Sequence, residues 1–386
     1  MSPNQFRLLT AHCAASQAST SLAGGFVGAY LMKLGFSLPA ALTVYAAVLS
    51  IRFVMRIVIL PLVRQIGLKA ALILGVVVGA AQFWPLSYAD DPCWLLVWIT
   101  TVALSESLYW PVLHAASAVT AGGPTRGRQI AARQAVCALI AVVAPLAGGW
   151  ILTRFGPSAD FGIAGLFLLL SALPVAQMSR ITAGAVPTIR DSLRGVDRIG
   201  MTAFAADGWM ASGLGLAWPM ILFTTLGSHY EVFAWSGSAA ALAGAVVGMA
   251  CGAGIDRGQR ETYLLVVSVA LASVFLFRAS ASWLPLATHL ANAAGAAVNG
   301  LYVPVIMSAI YERSKRSGAA YRFHLAAETG WDLGAVAGCL AGAAVAWVST
   351  APSLAILPAA LGIVAIYACV RGEPKLPHQL ASAAAA

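Results

Sequence analysis

Long apolar segments separated by short polar breaks run along almost the whole chain. About 20 apolar residues cross a bilayer as a helix, and a helix satisfies its own backbone hydrogen bonds in lipid. Transmembrane barrel strands would instead alternate apolar and polar positions over about ten residues, and no such alternation is present. The pattern predicts an all-α integral membrane protein with twelve spanning helices, at residues 9–34, 39–63, 68–88, 93–118, 129–153, 161–178, 199–226, 230–254, 262–280, 283–310, 319–347 and 352–370.

The composition agrees with a membrane protein. Of the 386 residues, 60% are hydrophobic and only 10% are charged, whereas about a quarter of the residues in a soluble domain are charged. The six cysteines lie mostly in apolar segments and lack the spacing of a zinc site. Neither a metal nor a cofactor is therefore expected, and no set of residues suggests an enzyme.

The net charge of +9 is distributed unevenly across the predicted membrane. Most of the 23 Lys and Arg residues fall in breaks on one side, and only Lys33, Arg154 and Arg278 fall in breaks on the other. Loops rich in Lys and Arg are typically cytoplasmic. We therefore expect both termini in the cytoplasm, with the chain in a bacterial inner membrane. The basic charge then reports topology and does not indicate a nucleic-acid partner.

The longest break on this cytoplasmic side divides the chain into two sets of six helices. Residues 108–113 (LYWPVL) and 301–306 (LYVPVI) occupy the fourth helix of each set, which indicates an internal duplication. We predict two pseudo-symmetric halves and their connections: an N-terminal half at residues 1–178, a linker at 179–198, a C-terminal half at 199–371 and a short cytoplasmic tail at 372–386.

Two parallel sets of six helices resemble the major facilitator superfamily of transporters. In the second half, residues 252–260 (GAGIDRGQR) are similar to that family's motif in the loop between the second and third helices, and Gly67 and Lys69 remain from the motif in the first half. The resemblance implies a gating role for Gly67, Lys69, Asp256 and Arg257. It also implies the major facilitator fold and a chain that works as a monomer.

The fifth predicted helix contains Ala144-Pro145-Leu-Ala-Gly148-Gly149, which resembles the antiporter motif of the same family. The resemblance implies export by exchange. The alternative is ordinary packing of small residues. Glycines also recur every four residues in predicted helices eight and eleven, and such stripes let helices approach closely. We expect these stripes to face the opposite half, with packing inside one half or against lipid as the alternative: Gly244, Gly248 and Gly252, and Gly334, Gly338 and Gly342.

Two arginines and one glutamate stand deep inside the first half. Arg52 and Arg56 are four residues apart and so share a face of predicted helix two, and Glu106 lies at similar depth in helix four. Charges in the membrane are costly unless they are paired or hydrated. A pair between Arg52 and Glu106 is expected, which leaves Arg56 to bind a carboxylate or phosphate of a substrate.

In the second half, Glu328 and Asp332 share a face of predicted helix eleven, and Asp207 lies inside helix seven. Four deep carboxylates, with Glu106, thus stand against two arginines, which leaves a carboxylate free to carry a proton. We expect proton coupling at Asp332 and Glu328 first, then at Asp207, with Glu106 mainly a structural partner of the arginine.

Several polar and aromatic residues lie on helices that line the cavity in the resembled family. Hydrogen bonds or stacking to a substrate are expected from Gln17, Tyr30, Tyr109 and Trp110. Three histidines stand alone near the ends of predicted helices, and little functional role is expected for His12, His114 and His289.

The first functional hypothesis is a proton-coupled exporter of a small organic compound, working by alternating access. Its partners would be the substrate, protons and the lipid bilayer. The second hypothesis is a proton-coupled symporter or exchanger of a small organic anion held by Arg52 and Arg56. The third is a sensor or assembly factor that does not transport.

Overall fold

The computed structural model describes residues 3–120, 126–192, 194, 196–256, 260–281 and 284–371. All regular secondary structure in this part of the chain is helical. The predicted all-α fold is therefore confirmed. The expected cytoplasmic tail lies outside the described residues.

Six helices form the N-terminal half. They are α1 (Pro3–Leu22, followed by Val27–Lys33), α2 (Leu38–Val58, followed by Leu60–Ile66), α3 (Leu68–Ala81, followed by Phe83–Leu86), α4 (Pro92–Thr120), α5 (Arg126–Arg154) and α6 (Pro157–Leu170, followed by Ala172–Gln177). The linker contains a four-residue helix, Ile189–Ser192.

Six further helices form the C-terminal half. They are α7 (Arg198–Ala211, a π-helical segment Ser212–Ala217, and Trp218–Thr225), α8 (Tyr230–Asp256), α9 (Arg260–Ala281), α10 (Pro285–Arg316), α11 (Ala320–Val348) and α12 (a 3-10 segment Pro352–Ala360, followed by Leu361–Val370).

Among the described residues, ten helices are long and apolar enough to cross a membrane. The other two predicted spans correspond to α1, which a 3-10 turn at Gly24–Phe26 divides, and to α7, which the π-helical segment divides. These two are helical over the predicted ranges, and their crossing of the membrane stays a prediction.

The two halves meet mainly along two helix pairs. α2 packs on α11, and α5 packs on α8. In α5, Gly149 lies against Tyr230 and Ala234 of α8, whereas Gly148 lies against the backbone of Leu22 in α1. A side chain at either glycine would collide with the neighbouring helix, so both positions permit a close approach.

The expectation that the glycine stripes of α8 and α11 face the opposite half is wrong for the glycines at Gly244, Gly248, Gly334 and Gly338. The first two face α10, and the last two face α7, so all four pack inside the C-terminal half. Gly342 approaches both α2 and the α12 segment. The surroundings of the sixth glycine, at position 252, lie outside the described part of the structure.

Apolar contacts join the halves on both sides of the deep charged residues. On the predicted outer side, Phe26 of α1 packs edge-on against Phe233 of α8, with ring centroids 5.4 Å apart. On the predicted cytoplasmic side, the linker inserts Ile181 and Ala183 into an apolar cluster with the start of α11. The backbone N–H of Tyr321 donates to the carbonyl of Ala183 at 2.9 Å. The deep charged residues lie between these two sets of contacts.

Candidate functional site

The arginines of α2 project toward α11 of the opposite half. Arg52 lies about midway along α2, and Arg56 lies one turn nearer the predicted cytoplasmic side. Arg52 is 3% exposed and Arg56 is fully buried. Because two residues four apart share one helix face, both guanidinium groups reach the same partner helix.

Asp332 of α11 accepts hydrogen bonds from both arginines. The Nε atom of Arg52 lies 2.6 Å from its Oδ1 atom, and the Nε atom of Arg56 lies 2.6 Å from its Oδ2 atom. The Nη2 atom of Arg56 also donates to Oε2 of Glu328 at 3.0 Å. Asp332 is fully buried and Glu328 is 5% exposed.

Glu106 of α4 adds a third carboxylate by contacting the Nη1 atom of Arg52. Its side chain is 33% exposed, which makes it the most accessible carboxylate of the group. We call Arg52, Arg56, Glu106, Glu328 and Asp332 the inter-half cluster. It contains two arginines and three carboxylates, so it carries one excess negative charge when every member is ionised.

The structure contains the expected contact between Arg52 and Glu106, but it corrects the expectation for Arg56. That arginine is not left over for a substrate, since Glu328 and Asp332 of the opposite half already bind it. In the sequence, Arg56 is 272 residues away from Glu328 and 276 residues away from Asp332, and these carboxylates belong to the other half. Only the folded chain shows that they meet.

His114 extends the cluster by about two further turns of α4 beyond Glu106, although the sequence suggested little role for it. Its Nε2 atom lies 3.3 Å from Oε1 of Glu328, and its Nδ1 atom lies 3.0 Å from the hydroxyl of Tyr311 in α10. Its ring stacks on that of His324, with centroids 5.4 Å apart. One sequence signal was available: residues 106, 110 and 114 share the spacing of residues 324, 328 and 332.

Asp207 lies in the C-terminal half, where each of its two carboxylate oxygens accepts a hydrogen bond. It accepts hydrogen bonds from the hydroxyl of Tyr302 at 2.6 Å and from Nε1 of Trp331 at 2.9 Å. The indole of Trp331 lies under the guanidinium of Arg52, 4.9 Å from the ring centroid. Asp207 therefore touches the inter-half cluster through an aromatic ring and not by direct contact.

The duplicated segments make equivalent contacts in the two halves. The hydroxyl of Tyr109 in α4 pairs with Nε2 of His12 in α1 at 3.1 Å. The hydroxyl of Tyr302 in α10 pairs with Asp207 in α7. Helices α1 and α7 are the first helices of their respective halves, so the equivalent contacts agree with a duplication. Only the C-terminal copy carries a carboxylate at this contact.

The remaining expected substrate contacts lie outside the inter-half cluster. Of these, Trp110 is linked to the cluster through His114, on whose ring it stacks with centroids 5.7 Å apart. The hydroxyl of Tyr30 donates to the carbonyl of Ser87 at 3.2 Å near the predicted outer side. Gln17 donates to the hydroxyl of Ser21 at 2.8 Å within α1.

The gating residues of the N-terminal half make contacts within that half. Gly67 has a φ of +82°, which favours glycine at this turn between α2 and α3. The Nζ atom of Lys69 donates to the carbonyls of Ala176 and Met178 at 2.7 and 2.6 Å and so stabilises the end of α6. The side chain of Asp256 and the whole of Arg257 lie outside the described residues.

Over the described part of the chain, no three His, Cys, Asp or Glu side chains are grouped to hold a metal ion. The inter-half cluster can therefore be considered from its own groups, as a set of buried ion pairs that must break and re-form when the two halves move.

Residues 9–191, which are the N-terminal half and most of the linker, match the sequence model of the Major Facilitator Superfamily. No curated protein matches this chain. Among solved structures, FucP, a Major Facilitator Superfamily transporter in the outward conformation, is 16% identical with a TM-score of 0.67, over 96% of this chain and 99% of that chain.

Two more solved structures are similar over the same share of this chain, 96%. A variant of the E. coli fucose:proton symporter FucP is 15% identical with a TM-score of 0.68, over 98% of its own length. The human organic anion transporter MFSD10 (TETRAN) is 13% identical with a TM-score of 0.65, over 100% of its own length.

Identities this low show the fold alone, and the match of residues 9–191 adds the family's sequence pattern. Together they confirm the resemblance seen in the residues, and they agree with a transporter rather than an enzyme. The chain has the fold of the major facilitator superfamily of secondary transporters, and its N-terminal half carries that superfamily's sequence pattern.

Proposed function

We propose that the chain is a proton-coupled secondary transporter that exports a small organic compound by alternating access between its halves. The observation that carries this proposal is the inter-half cluster. Arg52 and Arg56 of one half hold Asp332 and Glu328 of the other, deep in the helix bundle.

The physical argument begins with the cost of separating these charges. Removing one partner from a buried ion pair costs about 3–5 kcal/mol, because the remaining charge is then uncompensated. When the halves move apart around the cluster, water, a proton or a substrate must replace the lost contacts. A ligand that binds one arrangement of the halves better shifts their equilibrium toward it. Proton binding at a carboxylate is therefore able to bias the alternation of the halves.

The excess negative charge favours protons as one of the two ligands. Two arginines leave one of the three carboxylates without a matching cation, and a single proton cancels this excess. A substrate that is neutral or cationic then competes with the proton for the same charge. Such competition is the requirement for exchange.

Export is proposed from α5. The antiporter-like segment from Ala144 to Gly149 contributes Gly149 to the contact with Tyr230 and Ala234 of α8. This close contact lies between the halves, so the segment is positioned to influence their relative movement. The working monomer, the bacterial inner membrane and the cytoplasmic termini belong to the same proposal.

A second candidate is proton-coupled transport of an organic anion held by Arg52 and Arg56. Within the described structure, Nη1 of Arg56 is buried and lacks a hydrogen-bond partner, whereas Nη2 of Arg52 already contacts Oδ1 of Asp332. A carboxylate could engage Nη1 of Arg56, and could replace Asp332 at Arg52 once a proton has neutralised that aspartate. Two similar structures, a fucose:proton symporter and an organic anion transporter, are compatible with proton coupling and with an anion. A sensor or assembly factor is the third possibility, and saturable flux in reconstituted vesicles would exclude it.

A thermal-shift screen of the purified protein tests these candidates. Organic anions, sugars, amino acids and lipophilic cations would be added below and above neutral pH. A ligand at a hundredfold excess over its dissociation constant stabilises the folded state by about 2.7 kcal/mol. For the exporter, we expect stabilisation by cations or neutral compounds to be stronger above neutral pH. For the anion transporter, we expect stabilisation by anions to be stronger below neutral pH and lost in Arg56→Gln.

The matched control for the carboxylate variants is Glu231→Gln, which changes an exposed glutamate in the first turn of α8. We expect Asp332→Asn, but not this control, to alter the pH dependence of ligand stabilisation. Stabilisation that is independent of pH for every active ligand would contradict proton coupling.

A further inference from the structure

Glu328 has uneven surroundings that the other carboxylates of the inter-half cluster lack. Its Oε2 atom accepts a hydrogen bond from Arg56, whereas its Oε1 atom faces Nε2 of His114 at 3.3 Å. Both oxygens of Asp332 are bound by arginines. Glu106 is one-third exposed beside Arg52. Glu328 is thus the buried carboxylate with one oxygen next to a group that is neutral until it binds a proton.

We infer that the exchangeable proton of the inter-half cluster is held between Oε1 of Glu328 and Nε2 of His114. This inference rests on the proposed proton coupling and identifies the pair that performs it. A hydronium ion gives up one O–H bond and leaves as water, and one O–H or N–H bond forms within the pair. The proton cancels the excess negative charge of the cluster.

The groups around the imidazole limit the pair to one proton. Burial of the ring is the largest effect and disfavours a positive charge on it; Glu328 attracts such a charge, whereas Arg56 of α2 and Arg133 of α5 also oppose it. Tyr311 of α10 contributes a phenol at Nδ1, 3.0 Å away. His324 contributes a second ring on the other face. A positive imidazole is therefore favoured only while the carboxylate beside it is ionised.

His324 supports this arrangement as a neutral neighbour. It is fully buried, and neither ring nitrogen has a hydrogen-bond partner within the described residues. A buried charge without a partner costs several kcal/mol. His324 is consequently expected to stay uncharged and to cover one face of His114.

The pair also lies across the interface between the halves. His114 belongs to α4 in the N-terminal half, and Glu328 belongs to α11 in the C-terminal half. At a rise of 1.5 Å per residue, the two lie roughly 9 and 12 Å from the predicted cytoplasmic ends of their helices. Opening of this side separates α4 from α11, so the shared proton must then pass to one partner or to water. Proton release is thereby linked to opening on one particular side.

Infrared difference spectroscopy during a pH titration of the purified full-length protein tests this inference, with the proton itself as the ligand. The wild type should show one buried carboxyl group that titrates. The signal should disappear in Glu328→Gln. In His114→Gln its midpoint should move by at least about tenfold in proton affinity, because a hydrogen-bonding partner has been removed. His289→Gln, the same substitution at a histidine outside the cluster, should leave the midpoint unchanged.

Three further results separate this inference from the proposed function. If His114→Gln does not fold, Tyr311→Phe, which removes only the hydroxyl at Nδ1, should still shift the midpoint. The signal could instead disappear in Asp332→Asn or Glu106→Gln and stay unchanged in His114→Gln and Tyr311→Phe. That result would place the proton on another carboxylate and overturn this inference, while leaving proton coupling intact. The absence of any titrating carboxyl group in the wild type would contradict both.

Discussion

Arg56→Gln removes the guanidinium that two carboxylates of α11 contact. Arg56 and Asp332 are fully buried, and Glu328 is 5% exposed. Loss of one partner from such a pair costs about 3–5 kcal/mol. Asp332 retains its hydrogen bond from Arg52 at 2.6 Å, so the uncompensated charge falls mainly on Glu328. At roughly 2 °C per kcal/mol for a chain of this size, the melting temperature should fall by about 6–10 °C.

A second substitution tests whether the missing charge balance causes the loss. In Arg56→Gln/Glu328→Gln, the side chain at position 328 is neutral and needs no cation, so more than half of the lost stability should return.

Tryptophan fluorescence during heating of the detergent-purified protein measures these melting temperatures. Arg64→Gln provides the matched control, since Arg64 is exposed on the later segment of the same α2 helix and should contribute little to stability. A melting temperature for Arg56→Gln equal to that of Arg64→Gln would refute the reasoning. A double variant that is less stable than Arg56→Gln would also refute it.

Three further predictions concern stability in the same assay. Glu106→Gln should lower the melting temperature by no more than about 2 °C, because solvent screens a carboxylate that is 33% exposed. A larger decrease would show that the ion pair of Glu106 with Arg52 contributes more to stability than this exposure indicates. Gly148→Ala should destabilise the protein by about 1–3 kcal/mol, because the added methyl group collides with the backbone of α1. The control Gly162→Ala, where a methyl group meets open space, should be neutral or stabilising by up to about 1 kcal/mol. Equal effects of the two substitutions would contradict the close approach at Gly148. Arg278→Gln should lower the free energy of unfolding by about 2 kcal/mol. The buried guanidinium of Arg278 lies 4.6 Å from the ring centroid of Trp218 and donates to the carbonyl of Leu214 in the π-helical segment of α7. An unchanged melting temperature would show that neither contact is stabilising.

The positions of the helices could be predicted because segment length and hydropathy are local properties. The fourth predicted span, 93–118, corresponds to α4 at Pro92–Thr120, and the eleventh, 319–347, corresponds to α11 at Ala320–Val348. The tenth was predicted to end at residue 310, but α10 continues to Arg316. The last turns of α10 carry charged residues that can be hydrated beyond the bilayer. The apolar segment of the sequence therefore ends before the helix does.

The site could be predicted only up to the faces of single helices. Four-residue spacing correctly grouped Arg52 with Arg56 and Glu328 with Asp332, since that spacing is a property of one helix. It could not show that the two faces meet, because an almost entirely apolar helix contains little information about its rotation in the bundle. For the same reason four glycines of α8 and α11, Gly244, Gly248, Gly334 and Gly338, were assigned to the wrong neighbours. His114 was missed because its partners, Glu328 and Tyr311, stand on helices of the other half.

The central claim is that carboxylates of the inter-half cluster couple proton movement to transport. Its most direct test compares two fluxes in proteoliposomes for a compound that stabilises the protein: accumulation driven by a pH gradient, and exchange of labelled for unlabelled compound without a gradient. The variants are Glu106→Gln, Glu328→Gln and Asp332→Asn, with Glu231→Gln as the control. The account predicts that Glu328→Gln abolishes gradient-driven accumulation and retains exchange, while the control keeps both. Gradient-driven accumulation that survives in all three cluster variants would contradict the account.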